Sequence, residues 1–279
     1  MNIVIVGLGV IGGSFAMALK EAGYPHIYGI DTDINTLKKA KLMGLIKEGS
    51  PTGESFLKQA DLIIICLYPK QVFSFILQNK NYFKDGCIIT DVTGIKGMFM
   101  HDILDILPNG VDFVFGHPMA GREKRGIDFA SSLVFKGANY LLTPTKQNKE
   151  SSLELIEQLA YEIGFKKVRR ITPDFHDEMI GFTSQLPHAM AVALINSDIE
   201  GRETESFIGD SYRELTRIAN INEDLWSELF LGNKDNLLKA INNFEIELDL
   251  IKKAIYDNSE DMLKQYFIKS TKRREKLNK

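Results

Sequence analysis

The sequence contains few of the residues that build cross-linked or metal-bound proteins. Its 279 residues include only two cysteines, Cys66 and Cys87, and each lies in an apolar run typical of a buried strand. Neither has a cluster of cysteines or histidines beside it. This pattern argues against a disulfide framework and a metal site, and it favours a reducing environment such as the cytoplasm.

Charge and hydropathy exclude two further classes of partner. The formal net charge is −3, which gives no global attraction to nucleic acid or to an anionic membrane. No apolar run approaches the roughly 18 residues that a membrane span needs. The chain also starts directly with a strand rather than with a basic, cleavable leader. We therefore expect a cytoplasmic globular protein that binds neither nucleic acid nor membrane.

As far as Ile171, short apolar strands alternate with helical stretches. The predicted strands are 2–6, 27–30, 62–67, 87–91, 113–115, 140–142 and 165–171. This alternation is typical of an α/β fold with a Rossmann-like, doubly wound parallel sheet. We assign residues 1–171 to a dinucleotide-binding domain of this kind.

The pattern changes at Thr172 and Pro173, a pair suited to the cap and the first turn of a helix. Beyond this point there is essentially no strand signal. The predicted helices are 173–200, 207–219, 223–231, 234–257 and 259–277. Residues 172–279 are therefore expected to form an all-α C-terminal domain.

One of these helices carries a coiled-coil-like seam. Its apolar residues follow each other at alternating spacings of four and three: Leu237, Ile241, Phe244, Leu248, Ile251 and Ile255. Other apolar residues, such as Leu238 and Ile246, lie off the seam and indicate a helix that is buried on more than one side. We expect a homodimer through this domain; the alternative is packing within one subunit.

A glycine-rich loop follows the first predicted strand and opens the first helix. The run Gly7-Leu8-Gly9-Val10-Ile11-Gly12 matches the G-x-G-x-x-G pattern of dinucleotide-binding loops. In that pattern the first glycine permits a tight turn, the second lets the pyrophosphate approach, and the third brings the helix close. We predict that these six residues bind a cofactor at the helix N-terminus.

Asp31 ends the second predicted strand, nineteen residues after Gly12. A carboxylate at this point accepts hydrogen bonds from ribose hydroxyls and repels a 2′-phosphate, which favours NAD over NADP. The carboxyl ends of parallel strands face the ligand crevice. Residues that end the next two strands are therefore predicted to line the nicotinamide side: Leu67, Tyr68, Pro69, Asp91 and Thr93.

His117 follows another predicted strand, in the run Gly116-His117-Pro118-Met119-Ala120-Gly121. A histidine beside the nicotinamide accepts a proton from a substrate hydroxyl as hydride leaves, which makes His117 the candidate catalytic base. The alternative is a histidine that only pins a Gly/Pro loop by hydrogen bonds. Glu123 lies shortly after it and is a candidate for orienting substrate or gating the site.

Two residues of the helical half are candidates for substrate binding. Pro187 is expected to kink the predicted helix, and the kink aims His188 into a cleft. Arg217 lies among apolar neighbours, and the partly buried guanidinium expected there needs an anionic partner, either an internal carboxylate or a substrate carboxylate. For both residues a purely structural role stays open.

Taken together, these motifs resemble those of the prephenate dehydrogenases, with the arogenate dehydrogenases close by. The resemblance covers nearly the whole chain and rests on four motifs in order: Gly7–Gly12, His117-Pro118-Met119-Ala120-Gly121, Leu186-Pro187-His188 and Thr216-Arg217-Ile218-Ala219. It implies NAD-dependent oxidative decarboxylation of prephenate to 4-hydroxyphenylpyruvate in tyrosine biosynthesis, by a homodimer joined through its helical domains. It also implies that His117 deprotonates the ring hydroxyl and that Arg217 binds a prephenate carboxylate, with His188 and Glu123 nearby.

The chain departs from the family pattern at three positions, one of which is Arg122, an unusual residue that bears on selectivity for the substrate side chain. Gly94 stands where relatives often carry a serine near the catalytic histidine, so either Thr93 replaces that hydroxyl or the contact is absent. Gln185 stands where many relatives have a histidine. Three alternatives stay open, namely an arogenate dehydrogenase, another two-domain dehydrogenase, and a dinucleotide-binding module without catalysis.

Overall fold

The computed structural model describes residues 1–121 and 124–277. The chain folds into two compact units, Met1–Asn233 and Lys234–Lys279. The domain boundary predicted between residues 171 and 172 lies inside the first unit, where the last strand gives way to helices, and it stays a prediction.

The first unit is built on one eight-stranded sheet. Its strands are β1 (Ile3–Val6), β2 (Ile27–Ile30), β3 (Glu48–Ser50), β4 (Leu62–Ile65), β5 (Ile88–Asp91), β6 (Asp112–Pro118), β7 (Asn139–Thr143) and β8 (Lys167–Arg170). They lie in the order β3-β2-β1-β4-β5-β6-β7-β8, so the strand order reverses beside β1. This confirms the predicted Rossmann-like, doubly wound sheet. One pairing differs from a fully parallel sheet, because β7 runs antiparallel to β6.

Helices flank the sheet and then form the remainder of the chain. They are α1 (Val10–Glu21), α2 (Ile34–Leu42), α3 (Glu54–Leu57), α4 (Pro69–Asn79), α5 (Met100–Ile106), α6 (Glu150–Glu162), α7 (Pro173–Ile180), α8 (Leu186–Asn196), α9 (Asp210–Thr216), α10 (Glu223–Gly232), α11 (Lys234–Tyr256) and α12 (Glu260–Leu277). The predicted all-α region after Thr172 is confirmed. In the part of the chain that the structure describes, no helix combines the length and the apolar character needed to cross a membrane.

The core lies on both faces of the sheet because the central strands are apolar throughout. Ile5 of β1 packs in one cluster with Phe15 of α1, whereas its neighbour Val4 packs in a second cluster with Val72 of α4. Strands buried on both faces have no alternation of polar and apolar residues, as the sequence of β1 and β4 shows.

The second unit consists of α11 and α12 and leaves much apolar surface exposed. Its exposed large apolar side chains are Leu238, Ile246, Leu248, Ile255, Tyr256, Phe267, Ile268 and Leu277. Within the predicted seam, Leu237 is buried, whereas Leu248 and Ile255 are exposed. Contiguous exposed apolar surface is typical of a protein interface.

Candidate active site

The glycine-rich loop has the conformation that its sequence predicts. Gly7 has a φ of +85°, and a Cβ there would lie 2.6 Å from the carbonyl oxygen of Cys66. A Cβ at Gly12 would lie 1.8 Å from the carbonyl oxygen of Gly7, so only glycine fits where α1 passes the loop. A Cβ at Gly9, by contrast, would meet no atom within 4 Å. The backbone at Gly9 is therefore open to an approaching phosphate group.

This contrast predicts different outcomes for two alanine variants. Gly12→Ala is expected to destabilise the protein by about 1–3 kcal/mol, because the added methyl group collides with the backbone of Gly7. Gly9→Ala is expected to keep the melting temperature of the cofactor-free protein and to weaken NAD binding by at least about tenfold. Thermal unfolding and a fluorescence titration with NADH measure the two effects. Wild-type affinity in the Gly9 variant would remove the loop from the cofactor site.

The other predicted members of the loop start α1 or lie just before it. Leu8 is buried, and Val10 and Ile11 are partly exposed in the first helical turn. The N–H of Leu8 donates to Oδ2 of Asp31 over 2.7 Å, while Oδ1 of Asp31 accepts the N–H of Asp33. Asp31 thus fixes the loop, and its half-exposed carboxylate keeps further acceptor capacity for ribose hydroxyls.

The residues predicted to line the nicotinamide side fall into two groups. Leu67 and Tyr68 are half-buried after β4, and Pro69 opens α4. The Tyr68 hydroxyl accepts a 2.7 Å hydrogen bond from the side chain of Asn222, the residue that caps α10. The end of β4 is therefore joined directly to the helical part of this unit.

Asp91 and Thr93 form the second group, and the structure places their side chains in the interior rather than on the crevice. Asp91 is fully buried, and its Oδ1 accepts the N–H of Gly116 over 3.0 Å. The Thr93 hydroxyl donates to Oδ2 of Asp91. The polar side-chain atoms of both residues therefore bond within the protein, and their place on the nicotinamide side stays a prediction.

Lys96 is the partner of Asp91, and sequence reasoning missed it. This lysine is fully buried, and its Nζ donates to Oδ2 of Asp91 and to the carbonyl oxygen of Gly116, both over 2.7 Å. Desolvation lowers the pKa of Lys96, and the Asp91 carboxylate opposes that shift. The ion pair ties the loop after β5 to the backbone of β6 directly before His117.

His117 lies near the end of β6, partly exposed, and contacts a second histidine. Its Nδ1 is 2.9 Å from Nε2 of His176, a fully buried residue of α7. Nδ1 of His176 is in turn 2.7 Å from Oδ1 of Asp177. Burial, assisted by the neighbouring His176 and Lys96, lowers the pKa of His117 well below its ordinary value. His117 is therefore a neutral imidazole at neutral pH, as a general base must be.

The position of Gly94 settles one of the departures from the family pattern. A Cβ at Gly94 would lie 3.7 Å from Nε2 of His117, so a serine at this position would bring its hydroxyl to the imidazole. The hydroxyl of Thr93 points to Asp91 instead. Of the two possibilities raised above, replacement of the serine by Thr93 is therefore wrong.

The predicted kink at Pro187 takes the form of a π-helical turn over Gly181–Gln185, between α7 and α8. Such single π turns occur frequently at functional sites. His188 follows this turn; its Nδ1 lies 2.8 Å from the carbonyl oxygen of Ser184, and its ring stacks on Trp226 with centroids 3.6 Å apart. The turn therefore directs His188 towards α10.

Helix α10 packs against His188 and also against the loop that faces His117. Trp226 of this helix stacks on His188, and Leu229 lies one turn further along the same face. Leu229 also packs beside Gly94, with its Cδ2 3.3 Å from the position of an added Cβ. Helix α10 thus contacts His188 directly, and it contacts Gly94, the residue that faces His117.

The structure places the remaining predicted residues in different surroundings. Arg217 is exposed rather than partly buried, because it opens a short 3-10 turn, Arg217–Ala219, that has no buried residue and packs against α8. Glu123 lies outside the described residues, as does Arg122. Gln185, which stands where many relatives have histidine, is buried and donates to the carbonyl oxygen of Leu229 over 2.8 Å.

Comparisons with known proteins identify the family of this chain. The family model described as prephenate dehydrogenase, nucleotide-binding domain, matches residues 15–169, and the one described as prephenate dehydrogenase, dimerization domain, matches residues 172–269. The chain is 29% identical over 273 residues to a prephenate dehydrogenase of Bacillus subtilis, covering 95% of this chain and 73% of the relative. It is 28% identical over 286 residues to a cyclohexadienyl dehydrogenase of Zymomonas mobilis, covering 98% and 94%.

Solved structures show the same relationship. A crystal structure of prephenate dehydrogenase from A. aeolicus, in complex with hydroxyphenyl propionate and NAD+, superposes with a TM-score of 0.90 at 31% identity, covering 99% of this chain and 98% of that one. Arogenate dehydrogenase from Synechocystis superposes with a TM-score of 0.83 at 26% identity, covering 99% and 100%. These matches confirm the predicted oxidoreductase fold with its nucleotide-binding domain.

Proposed function

Since this chain belongs to the prephenate dehydrogenase family, we propose that it catalyses the NAD-dependent oxidative decarboxylation of prephenate to 4-hydroxyphenylpyruvate. One observation carries the proposal: His117 lies at the end of β6, on the same sheet edge as the open glycine loop, and burial lowers the pKa of its imidazole. The similar A. aeolicus enzyme was crystallised with NAD+ and a hydroxyphenyl compound, which supports the same pairing of cofactor and aromatic ligand.

The residues of the sheet edge fit a dinucleotide. The Gly7–Gly12 loop offers an open backbone at Gly9 and the N-terminus of α1 to the pyrophosphate, and Asp31 offers a carboxylate to the ribose. Leu67, Tyr68 and Pro69 line the nicotinamide side in this proposal. When bound, NAD supplies the acceptor for the hydride that leaves C4 of prephenate.

The proton of the C4 hydroxyl passes to Nε2 of His117. Carbon dioxide leaves C1 and its bonding electron pair enters the ring, which becomes aromatic and so provides the driving force. The proton held by His117 then returns to the phenolate oxygen, which gives the neutral phenol of the product. The protein therefore needs to position the substrate, to accept one proton and to neutralise carboxylates. We assign the carboxylates to Arg217 and His188, and we add Glu123 as a neighbour on the basis of the family resemblance.

Arg217→Ala is expected to raise KM for prephenate by about tenfold or more, because a hydrogen bond to a charged group contributes about 1.5–3 kcal/mol. The value of kcat should change much less. Arg213→Ala is the matched control, since Arg213 is an exposed arginine of the preceding helix that pairs with Asp210 over 3.2 Å. Steady-state assays at saturating NAD measure both variants, and an unchanged KM in the Arg217 variant would remove this residue from the site.

We further propose the division of labour predicted from the sequence, with residues 1–171 binding the cofactor and residues 172–279 binding substrate and forming a homodimer. The exposed apolar residues of α11 and α12 support the dimer, as does the family description of residues 172–269 as a dimerization domain. Sedimentation equilibrium of the full chain tests it, and a monomer at micromolar concentration would contradict it.

Arogenate is the second candidate substrate, because the Synechocystis relative is an arogenate dehydrogenase and the Zymomonas relative is a cyclohexadienyl dehydrogenase. Initial rates of NADH formation, measured with each compound under matched conditions, decide between them. The proposal expects a higher kcat/KM for prephenate. Turnover of arogenate alone would replace prephenate as the substrate.

A further inference from the structure

We propose that His176 and Asp177 are positioning residues that fix the protonation of His117, so that its proton sits on Nδ1 and its lone pair on Nε2. The inference rests on the proposed role of His117 as the catalytic base. It is carried by a chain of three side chains, His117, His176 and Asp177, which we call the imidazole relay. Each hydrogen bond in this chain determines which ring nitrogen of the next histidine carries the proton.

The relay begins at Asp177, whose carboxylate is held by backbone donors. Its Oδ1 accepts the N–H of Lys96 over 2.9 Å, and its Oδ2 accepts the N–H of Gly97 over 2.7 Å. A backbone N–H can only donate, so both oxygens must be acceptors, and charge-assisted bonds of this kind favour the ionised carboxylate. Asp177 is itself buried, which leaves it little contact with water.

His176 takes its orientation from this carboxylate. Its Nδ1 lies 2.7 Å from Oδ1 of Asp177 and must therefore carry a proton. Burial lowers the pKa of His176 and Lys96 acts in the same direction, although the bond to Asp177 opposes both. A neutral ring with its proton on Nδ1 has its lone pair on Nε2.

His117 completes the relay. Because Nε2 of His176 is an acceptor 2.9 Å from Nδ1 of His117, the proton of His117 must sit on Nδ1. Its lone pair is then on Nε2, the atom that faces Gly94 after β5. The opposite tautomer would set a lone pair of His176 against the Asp177 carboxylate, inside the protein and away from water.

Charged groups around the relay keep it in this state. Asp91 faces it from the end of β5, Lys96 from the loop after β5, and Asp177 from α7. The buried ammonium of Lys96 disfavours a second proton on either imidazole. The relay therefore presents a ready acceptor for a substrate proton without a prior change of tautomer.

Nitrogen NMR of the histidine side chains tests the tautomer without any substrate. The chain has only five histidines, so selective 15N-histidine labelling of the full-length protein gives five rings, which single-histidine variants assign. We expect both His117 and His176 to carry their proton on Nδ1 at pH 7. A proton on Nε2 of His117, or an imidazolium at either position, would overturn the proposal even if the substrate were not prephenate.

Kinetics of two substitutions test the consequence. His176→Phe removes the acceptor and is expected to lower kcat by about 10²-fold, with KM for NAD unchanged and His117 redistributed between tautomers. His176→Gln supplies a carbonyl oxygen that accepts from Nδ1 of His117, so its kcat should stay within about tenfold of the unmodified enzyme and its tautomer should be retained. His101→Gln is the matched control, because His101 is exposed on α5.

A merely structural role predicts a different pattern, which would overturn the proposal. In that case the two variants at position 176 lose stability and kcat in parallel, while the tautomer of His117 stays the same. A His176→Phe variant that folds and turns over at the rate of the unmodified enzyme would also overturn it. Failure of the proposed function shows itself separately, as an unmodified protein that has the predicted tautomer and yet does not oxidise prephenate.

Discussion

Replacement of His117 by asparagine is expected to lower kcat for prephenate oxidation by about 10²–10⁴-fold, the usual contribution of a general base. An asparagine is polar and short enough to keep a hydrogen bond towards His176, but its amide has no basic nitrogen. The glycine loop and Asp31 are separate from this position, so the affinity for NAD should not change. The variant thus separates proton transfer from cofactor binding.

Steady-state assays with prephenate and a fluorescence titration with NADH measure these two quantities. His101→Asn provides the same chemical change at an exposed histidine and should leave both kcat and the affinity for NADH unchanged. A His117→Asn enzyme with nearly normal turnover would mean that another group accepts the proton. Loss of NADH binding would instead mean that His117 belongs to the cofactor site.

The pH dependence of kcat/KM should reflect the protonation of His117. Only the neutral imidazole accepts a proton, and its pKa lies well below the usual 6.5. We therefore expect kcat/KM to be level through neutral pH and to fall only on the acid side of the ordinary histidine range. The remaining activity of the asparagine variant should lack this acid limb.

Replacement of Lys96 by methionine is expected to reduce the free energy of unfolding by about 3–5 kcal/mol, the cost of leaving one partner of a buried ion pair alone. Lys96 and Asp91 are both fully buried, and methionine nearly preserves the shape of the lysine stem while removing the ammonium. The Asp91 carboxylate and the carbonyl oxygen of Gly116 would then lose their shared donor.

Urea denaturation at one fixed protein concentration measures this change. Lys84→Met is the matched control, because Lys84 pairs with Asp61 at the surface and such pairs contribute about 0–1 kcal/mol. The double variant Asp91→Asn with Lys96→Met should recover part of the loss, since it removes the isolated charge. Equal losses of unfolding free energy in the Lys84→Met and Lys96→Met variants would show that removing one partner of the buried Asp91–Lys96 pair costs no more than removing one partner of a surface pair.

The elements that follow a simple period or a local motif were predictable from the sequence. β1 and β4 are uninterrupted apolar runs, and the glycine loop carries its conformation in its own residues. The helices after Thr172 follow from their apolar spacing. Such signals are local, so they do not depend on which distant segments meet.

The polar interior of the site was not predictable, because it depends on contacts between distant residues. Lys96 stands between Ile95 and Gly97 and has the appearance of an exposed loop lysine; only its contacts with Asp91 and Gly116 make it a core residue. Asp177 lies 81 positions from Lys96, whose N–H it accepts. A helix that carries adjacent His and Asp residues on its buried side is the one signal that could have indicated the relay.

The direction of β7 was missed for a related reason. A parallel strand needs a crossover, usually a helix, between it and its neighbour. The described residues between β6 and β7 instead form two short 3-10 turns, Ile127–Phe129 and Ser132–Val134. The absence of a helical period after Gly121 was therefore the available clue, and β7 returns antiparallel along β6.

A π turn holds one residue more than an α turn does, so Gly181–Gln185 takes up an extra residue within the run from α7 to α8. The carbonyl oxygen of Ser184, inside this turn, lies 2.8 Å from Nδ1 of His188, and the same ring stacks on Trp226. Deleting one amino acid from the segment would let ordinary i→i+4 bonding run through it and would move the Ser184 carbonyl relative to the ring. The orientation of the His188 ring therefore depends on the number of residues in this segment as well as on their side chains.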